Sequence, residues 1–209
     1  MIYAENILIC IAVPLMISLI FITGKARYFA GSLILGMVVC LIAAYISGYL
    51  DLAAELGEES TAIFISPIVE EIMKFLPLLF YVMMFLPEND DMYLVALGIG
   101  AGFATFENCC YILTSGAESL PYILIRGMAV GVMHIVSILF LAIGIEMVRR
   151  FRALSVPGLL GALSLSMTFH GLYNLLVSEP GLSSVIGYVL PLFTAIILYF
   201  PFRRMRKNL

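Results

Sequence analysis

Charged residues are scarce in this sequence, which has a mean hydropathy of +1.10. Only 12% of its 209 residues are charged and 63% are hydrophobic, whereas a soluble domain carries about 25% charged residues. This composition excludes a soluble globular domain. The few basic residues stand at the ends of apolar segments, which excludes a nucleic-acid-binding surface. The chain is an integral membrane protein whose immediate surroundings are the lipid bilayer.

Cysteine is rare as well, and all four cysteines lie within apolar segments, so no disulfide framework is expected. The N-terminus lacks a basic residue before its first apolar run, and no small-residue cleavage site follows that run. Both features are required of a secretory signal peptide. We therefore interpret the first apolar run as a membrane span.

Apolar segments long enough to cross a bilayer, about 20 residues each, recur along the whole chain. Connections between them are short, and no soluble segment interrupts them. This pattern predicts an all-α polytopic membrane protein, a single domain over residues 1–209 with about seven transmembrane helices. The predicted spans are roughly 4–23, 29–50, 62–86, 92–115, 122–148, 156–178 and 184–202.

Basic residues predict the orientation, because Lys and Arg concentrate in cytoplasmic loops. They follow the first, fifth and seventh predicted spans, which all end on one side of the membrane: Lys25, Arg27, Arg149, Arg150, Arg152, Arg203, Arg204, Arg206 and Lys207. Acidic residues such as Glu58, Glu59 and Glu179 mark the other side. We expect the N-terminus outside and the C-terminus in the cytoplasm. The acidic loop 87–91 should also be cytoplasmic, although it has no basic residue.

The third to sixth predicted spans contain ionisable residues in the interior of the chain's apolar segments. An ionised carboxylate at mid-bilayer costs roughly 3 kcal/mol on insertion scales, so such residues are candidates for a functional site. At a rise of ~1.5 Å per residue, Glu70, Glu107 and His170 lie about 12 Å below the outer end of their spans, and His134 about 18 Å below. Their similar depth predicts one site shared by four helices.

Helical spacing groups the polar residues further. Glu70 and Lys74 are four residues apart and are expected to share a helix face, so that Lys74 partly neutralises Glu70. Glu71 is rotated from Glu70 by about 100°. Two other pairs have the four-residue spacing: Phe103 with Glu107, and His170 with Asn174.

Two further expectations concern packing. Arg126 stands near the outer end of the fifth span, where it is expected to snorkel towards the membrane surface. The spacings Gly98–Gly102 and Gly127–Gly131 place small residues one helical turn apart, which predicts close packing between the fourth and fifth spans.

Three protease chemistries lack their residues here. Neither histidine belongs to a His-Glu-x-x-His motif, and no Gly-x-Ser-x-Gly motif is present. The aspartates Asp51, Asp90 and Asp91 stand in loops or at span ends, which excludes a buried aspartyl dyad.

Carboxylate and imidazole groups remain, and they permit two mechanisms. In one, a Glu activates water and a His or Asn donates a hydrogen bond to the oxyanion, without a cofactor. In the other, two His and a Glu hold one divalent metal ion such as zinc, and another Glu is the base. The candidate metal ligands are His134, His170, Glu107 and Glu71. The residues leave both mechanisms open.

Two other function classes use similar residues. Intramembrane Glu and His also form proton relays in proton- or ion-coupled transporters, but those folds often contain inverted repeats, and none is visible here. A non-catalytic membrane scaffold could use the same polar layer only to fix the packing of its helices.

Four ordered motifs on successive spans resemble the PrsW family of intramembrane proteases. They are Glu70-Glu71-Ile-Met-Lys74, Phe103-Ala-Thr-Phe-Glu107-Asn108, His134, and His170-Gly-Leu-Tyr-Asn174. This family is related to the CAAX prenyl endopeptidases and to bacterial immunity proteins of the ABI superfamily. The resemblance implies a CAAX-protease-like helical core in the third to sixth spans, approximately residues 62–178.

The resemblance also implies an activity and a location. Members of this family cleave membrane-anchored anti-sigma factors at the first site, so the implied partner is a single-span membrane protein in a bacterial plasma membrane. Carried over by position, Glu70 and Glu71 are the water-activating pair, and Glu107, His134 and His170 complete the catalytic set. Lys74, Asn174, Phe103 and Asn108 are supporting residues. Metal-free and metal-dependent mechanisms have both been favoured for the family.

Overall fold

The computed structural model describes residues 3–115, 119–151, 153 and 155–207, and all regular structure in these residues is helical. Arg152 lies outside them, and so do the side chains of Arg203, Arg204, Arg206 and Lys207. The elements are α1 (Ala4–Ser18), α2 (Gly24–Ala54), α3 (Glu58–Ser60), a π-helical turn (Thr61–Ile65), α4 (Ser66–Phe85), α5 (Asn89–Ser115), α6 (Leu120–Arg150), α7 (Ser155–Ser178) and α8 (Leu182–Lys207).

The short helix α3, the π-helical turn and α4 follow one another without a break, so the described residues form seven longer helices. Five of these, α2 and α5 to α8, are long and apolar enough to cross a membrane. Helix α1 has 15 residues and is shorter than predicted. Helix α4 has 20 residues and contains three ionisable side chains. The prediction of an all-α polytopic membrane protein is confirmed.

Helices α2 and α5 approach each other closely because glycines line both sides of their contact. A Cβ atom on Gly36 would lie 2.2 Å from the carbonyl oxygen of Ile99, and one on Gly102 would lie 1.9 Å from that of Leu33. Side chains at these positions would push the helices apart. Close contact of this kind stabilises helix pairs in lipid through van der Waals packing.

The sequence spacing predicted that Gly98, Gly102, Gly127 and Gly131 pack the fourth span against the fifth. That prediction was wrong. A Cβ atom on Gly98 would meet Ser32 of α2, and one on Gly127 or Gly131 of α6 would meet nothing within 4 Å. Helix α5 lies between α2 and α6, and it turns Gly98 and Gly102 towards α2. Gly100, on another face, is the glycine of this segment that approaches α6.

The four helices that carry the ionisable residues converge. Helix α4 contacts α5, α6 and α7, and α6 packs against both α5 and α7. Below the polar layer, the fully buried side chains of Leu78, Ile99 and Leu141 belong to one apolar cluster of α4, α5 and α6. This cluster fixes the three helices against one another and so sets the spacing of the polar residues above it.

The acidic loop 87–91 lies among basic side chains. Lys25 Nζ is 3.0 Å from Asp91 Oδ1, and Arg149 donates to Asn89 Oδ1 over 3.3 Å. We call this end of the bundle the basic end, and the opposite end, which holds Glu58 and Glu179, the acidic end. These contacts place the loop at the same end of the bundle as the basic residues that follow the first and fifth predicted spans.

Candidate active site

A π-helical turn sets the entry of α4 into the site. The backbone N–H of Ser66 bonds to Thr61 O, five residues back, so it is not available to Ala62 O. Pro67, the next residue, has no N–H to donate. The side-chain amide of Asn174 on α7 donates to Ala62 O over 2.8 Å. Asn174 therefore ties α7 to the turn and satisfies a carbonyl that the sequence of the turn leaves without a backbone donor.

Helix α4 buries two of its three ionisable residues completely. Glu71 and Lys74 have no exposed surface, and Lys74 Nζ lies 2.5 Å from Glu71 Oε1. The direct ion-pair partner of Lys74 is therefore Glu71 and not Glu70, the residue that the four-residue spacing indicated. Residues three apart on a helix are neighbours just as residues four apart are, and α4 turns the side with Glu71 and Lys74 towards α6 and α7.

Both oxygens of Glu71 have partners. Oε1 lies 2.8 Å from Nδ1 of His170 as well as 2.5 Å from Lys74 Nζ, and Oε2 accepts a hydrogen bond of 2.7 Å from Ser166 Oγ. Because each oxygen is engaged, the carboxylate is stabilised without contact with water. Oε1 thus has two contacts and Oε2 has one, so the remaining acceptor position of Glu71 is on Oε2, which is buried with the rest of the side chain.

His134 lies between Lys74 and Glu107. Its Nδ1 is 2.9 Å from Lys74 Nζ, and its Nε2 makes a short hydrogen bond with Glu107 Oε2. The ring of Phe103 packs against that of His134 at a centroid distance of 4.8 Å and also lies 4.6 Å from Lys74 Nζ. A cation near an aromatic face is attracted by it. Phe103, predicted as a supporting residue, thus contacts two members of the site.

Glu70 differs from its neighbour. Its side chain is 17% exposed, and its Oε2 atom is buried but has no hydrogen-bond partner among the described residues. The nearest basic atom is His170 Nε2, at 3.7 Å. In both His134 and His170, Nδ1 is engaged by the Glu71–Lys74 pair, and Nε2 is turned towards Glu70 or Glu107. The two imidazole rings are 5.0 Å apart and nearly perpendicular.

One group of site residues has the donor set of a metal centre. Ligand atoms of Glu70, His134 and His170 all lie within 4.8 Å of one another. Of the four ligands predicted from the sequence, the structure thus places the two histidines in this group. Glu71 contacts the far nitrogen of His170 instead, and Glu107 contacts His134.

A cavity of about 330 Å³ leads from the acidic end to the site. Glu107 and Asn174 lie in its wall together with Arg126, Tyr111 and Glu59. The side chain of Glu107 is 32% exposed. This volume is roughly ten times the ~30 Å³ that one water molecule occupies in the liquid. The cavity is therefore large enough to admit water and part of a peptide to the Glu107 side of the site.

The remaining supporting residue, Asn108, lies beside this cavity rather than in the polar cluster. It lines a small cavity of about 40 Å³ with Arg126, Tyr111 and Tyr122. The side chain of Arg126 is only 21% exposed, and its Nη2 lies 3.6 Å from Glu107 Oε1. The structure therefore contradicts the expectation that Arg126 snorkels to the surface, because an inward carboxylate attracts it.

Two residues of the network were not identified from the sequence. Ser137 and Ser166 are fully buried. Ser137 Oγ lies 3.3 Å from Lys74 Nζ, and Ser166 contacts Glu71. Ser166 stands four residues before His170, so helical spacing around each histidine could have indicated it.

A comparison with protein families covers most of the chain. A family model described as PrsW family intramembrane metalloprotease matches residues 24–202. The matched range contains all of α2 to α7 and every residue of the polar cluster. No curated protein and no solved structure matched the chain.

Proposed function

The chain belongs to the PrsW family of intramembrane proteases, and we propose that it hydrolyses its substrate with a water molecule activated by Glu70. The observation that carries this assignment is the contrast between the adjacent carboxylates. Both oxygens of Glu71 are engaged, whereas Oε2 of Glu70 is buried without a hydrogen bond among the described residues. A general base needs a free acceptor for the proton of water. Oε2 of Glu70 is free of hydrogen bonds from the described residues, and the side chain as a whole is 17% exposed.

The residues of the site either take part in proton transfer or hold the imidazole rings. Glu70 takes a proton from water as the water oxygen attacks the peptide carbonyl, and the proton passes to the leaving amine when the C–N bond breaks. Lys74 contacts Nδ1 of His134 and Glu107 contacts its Nε2, so both ring nitrogens are engaged and the imidazole is fixed in the site. Glu71 contacts Nδ1 of His170, and Lys74 contacts Nδ1 of His134. Ser166 and Ser137 contact Glu71 and Lys74 in turn, so these four residues orient the rings.

The residues also fit the metal ion that the family description implies. Two imidazoles and a carboxylate with an open position form a common catalytic zinc site, and the buried Glu70 Oε2 has no other partner among the described residues. Glu70, His134 and His170 would hold the ion. When bound, it would supply a Lewis acid that polarises water and the attacked carbonyl. With the ion bound, Glu70 would be a ligand and not the base, and His134 would release Glu107 in order to bind through Nε2, whereas His170 would keep its Nδ1 contact with Glu71.

The proposed substrate is a single-span membrane protein of the anti-sigma-factor type in a bacterial plasma membrane. The polar layer within the helical bundle supports this proposal, because it would meet a peptide bond inside the bilayer or near its edge. We also propose that the basic end faces the cytoplasm and the N-terminus the outside. Labelling of single cysteines at Glu58 and Arg149 by a membrane-impermeant reagent tests the orientation, which fails if only the Arg149 position reacts from outside.

The test of the function is cleavage of a single-span substrate by the purified protein in liposomes. Glu70→Gln should abolish cleavage, since an amide keeps the shape of the side chain but is not a base. Glu146→Gln is the matched control, because Glu146 is a partly buried carboxylate on α6 that accepts a hydrogen bond from Tyr93 over 2.5 Å. Undiminished cleavage by Glu70→Gln would contradict the proposal.

A further inference from the structure

Arg126 lies in the part of α6 near the acidic end, and its guanidinium points towards Glu107 in the bundle. Nη2 lies 3.6 Å from Glu107 Oε1, and the guanidinium carbon lies 3.4 Å from the centre of the Tyr111 ring. Stacking of a guanidinium on an aromatic face restricts both groups. Arg126 is thus held between a carboxylate and a ring that both belong to α5.

The stack is itself anchored across the two helices. The hydroxyl groups of Tyr111 and Tyr122 lie 2.9 Å apart and share a hydrogen bond. Tyr122 stands one helical turn before Arg126 on α6, so the bond closes a loop of contacts between α5 and α6. The position of the guanidinium therefore depends on packing and not only on its attraction to Glu107.

A small cavity lies beside the side chain of Arg126. Arg126 Nε and Asn108 Oδ1 are both buried without a hydrogen-bond partner among the described residues, and both residues line the cavity of about 40 Å³. One is a donor and the other an acceptor. The cavity is large and polar enough for one water molecule. A single water that bridges Asn108 and Arg126 would complete the support of the guanidinium.

Glu107 needs such support because it borders the larger cavity. Its side chain is 32% exposed, so an unrestrained carboxylate could turn away from His134 into that space. The two oxygens have separate partners: Oε2 contacts His134 Nε2, and Oε1 faces Arg126. We propose that Arg126 is a positioning residue that holds Glu107 against His134 and thereby aligns the imidazole for the cleavage step. The inference rests on the proposed function.

A rival role for Arg126 follows from the same cavity. Its guanidinium lies in the wall of the 330 Å³ cavity and could bind an acceptor group of the substrate directly. The two roles predict different kinetics. A residue that aligns His134 changes kcat, whereas one that binds substrate equally before and during reaction changes KM. The ion pair with Glu107 favours the role of aligning His134, because the charge of Arg126 is already partly neutralised by this carboxylate.

The experiment compares Arg126→Gln with Arg126→Lys in the wild-type and Glu107→Gln backgrounds. We expect Arg126→Gln to lower kcat about 10–100-fold, the range typical of residues that orient catalytic groups, with KM changed less than about threefold. Arg126→Lys should recover part of kcat because it keeps the charge. In the Glu107→Gln background, Arg126→Gln should have little further effect, since residues that act through one another are not additive.

The control is Arg149→Gln, which removes an arginine of the same helix that donates to Asn89 at the basic end. It should leave kcat unchanged. A rise in KM alone, an effect of Arg126→Gln that is fully additive with Glu107→Gln, or unchanged kinetics would overturn the inference. Failure of the proposed function is distinguishable, because it would appear as full cleavage by Glu70→Gln whatever Arg126 does.

Discussion

The site has two halves that face each other across the imidazole rings. The closed half, made of Glu71, Lys74, Ser137 and Ser166, is fully buried and densely hydrogen-bonded. The open half contains Glu70, Glu107 and Arg126, all partly exposed, and it borders the 330 Å³ cavity through Glu107 and Arg126.

The comparison shows how one pair of adjacent glutamates can serve two purposes. A buried carboxylate with hydrogen bonds to both oxygens is stable and has little acceptor capacity left for a proton or a ligand. A carboxylate with a free oxygen is costly to bury, and such groups are characteristic of functional sites. Chemistry is therefore expected in the open half, and the closed half is expected to determine geometry and stability.

The largest expected effect is on cleavage in the open half. Glu70→Gln should reduce kcat by roughly 10²–10⁴-fold, which is the contribution of a typical general base. Its thermal unfolding in detergent should stay close to that of the wild type, because no described side chain donates to Oε2. A variant that unfolds early and still cleaves would reverse the roles assigned to the two glutamates.

The closed half should respond through stability. Lys74→Met leaves the Glu71 carboxylate buried without its cation, which typically costs about 3–5 kcal/mol. Unfolding followed by tryptic accessibility or by heating in detergent measures the change. The double variant Glu71→Gln/Lys74→Met should recover part of this loss, because neither charge then remains unpaired. If the double variant is less stable than Lys74→Met, the ion pair is not the main source of the penalty.

Metal binding should separate the two glutamates again. Isothermal titration of metal-depleted protein with zinc is expected to show one ion per chain, with affinity lowered at least about tenfold by Glu70→Gln, as a lost ligand requires. Ser137→Ala, which contacts Lys74 and not the proposed ligand atoms, should bind like the wild type. Absence of binding by the wild-type protein, together with full cleavage, would leave the glutamate mechanism without a metal.

The smallest expected effect concerns the entrance to α4. Asn174→Ala removes the donor to Ala62 O, and interhelical hydrogen bonds in membranes average about 0.6 kcal/mol with a maximum of about 1.7. We expect a loss of stability in this range, measured by thermal unfolding. Ser178→Ala, whose hydroxyl bonds only within its own helix, is the control. A loss of cleavage comparable to that of Glu70→Gln would instead assign Asn174 a direct part in the reaction.

Much of the site could be predicted from single spans, because burial of charge in lipid is unfavourable wherever it occurs. Glu70, Glu107, His134 and His170 stand out in apolar segments, and counting the helical rise places them at similar depths. Contacts between these residues in the structure agree with that common layer.

Partners within the layer could not be predicted in the same way. Lys74 is three residues from Glu71 and four from Glu70, and both spacings allow contact on a helix. Only the rotation of α4 against α6 and α7 selects Glu71. The same applies to Arg126: its place near a span end allows an outward or an inward direction, and the position of Glu107 and Tyr111 on α5 selects the inward one.

The sequence by itself determined that the chain lies in the bilayer, that it is helical, and which costly residues form its polar layer. These properties depend on composition and on the length of each apolar segment, which every span carries independently. The tertiary structure decided which carboxylate has hydrogen bonds at both oxygens, which group contacts each histidine nitrogen, and which carboxylate retains a free oxygen. Hydrogen bonds depend on distances of a few tenths of an ångström between helices, and such distances arise only when the helices pack together.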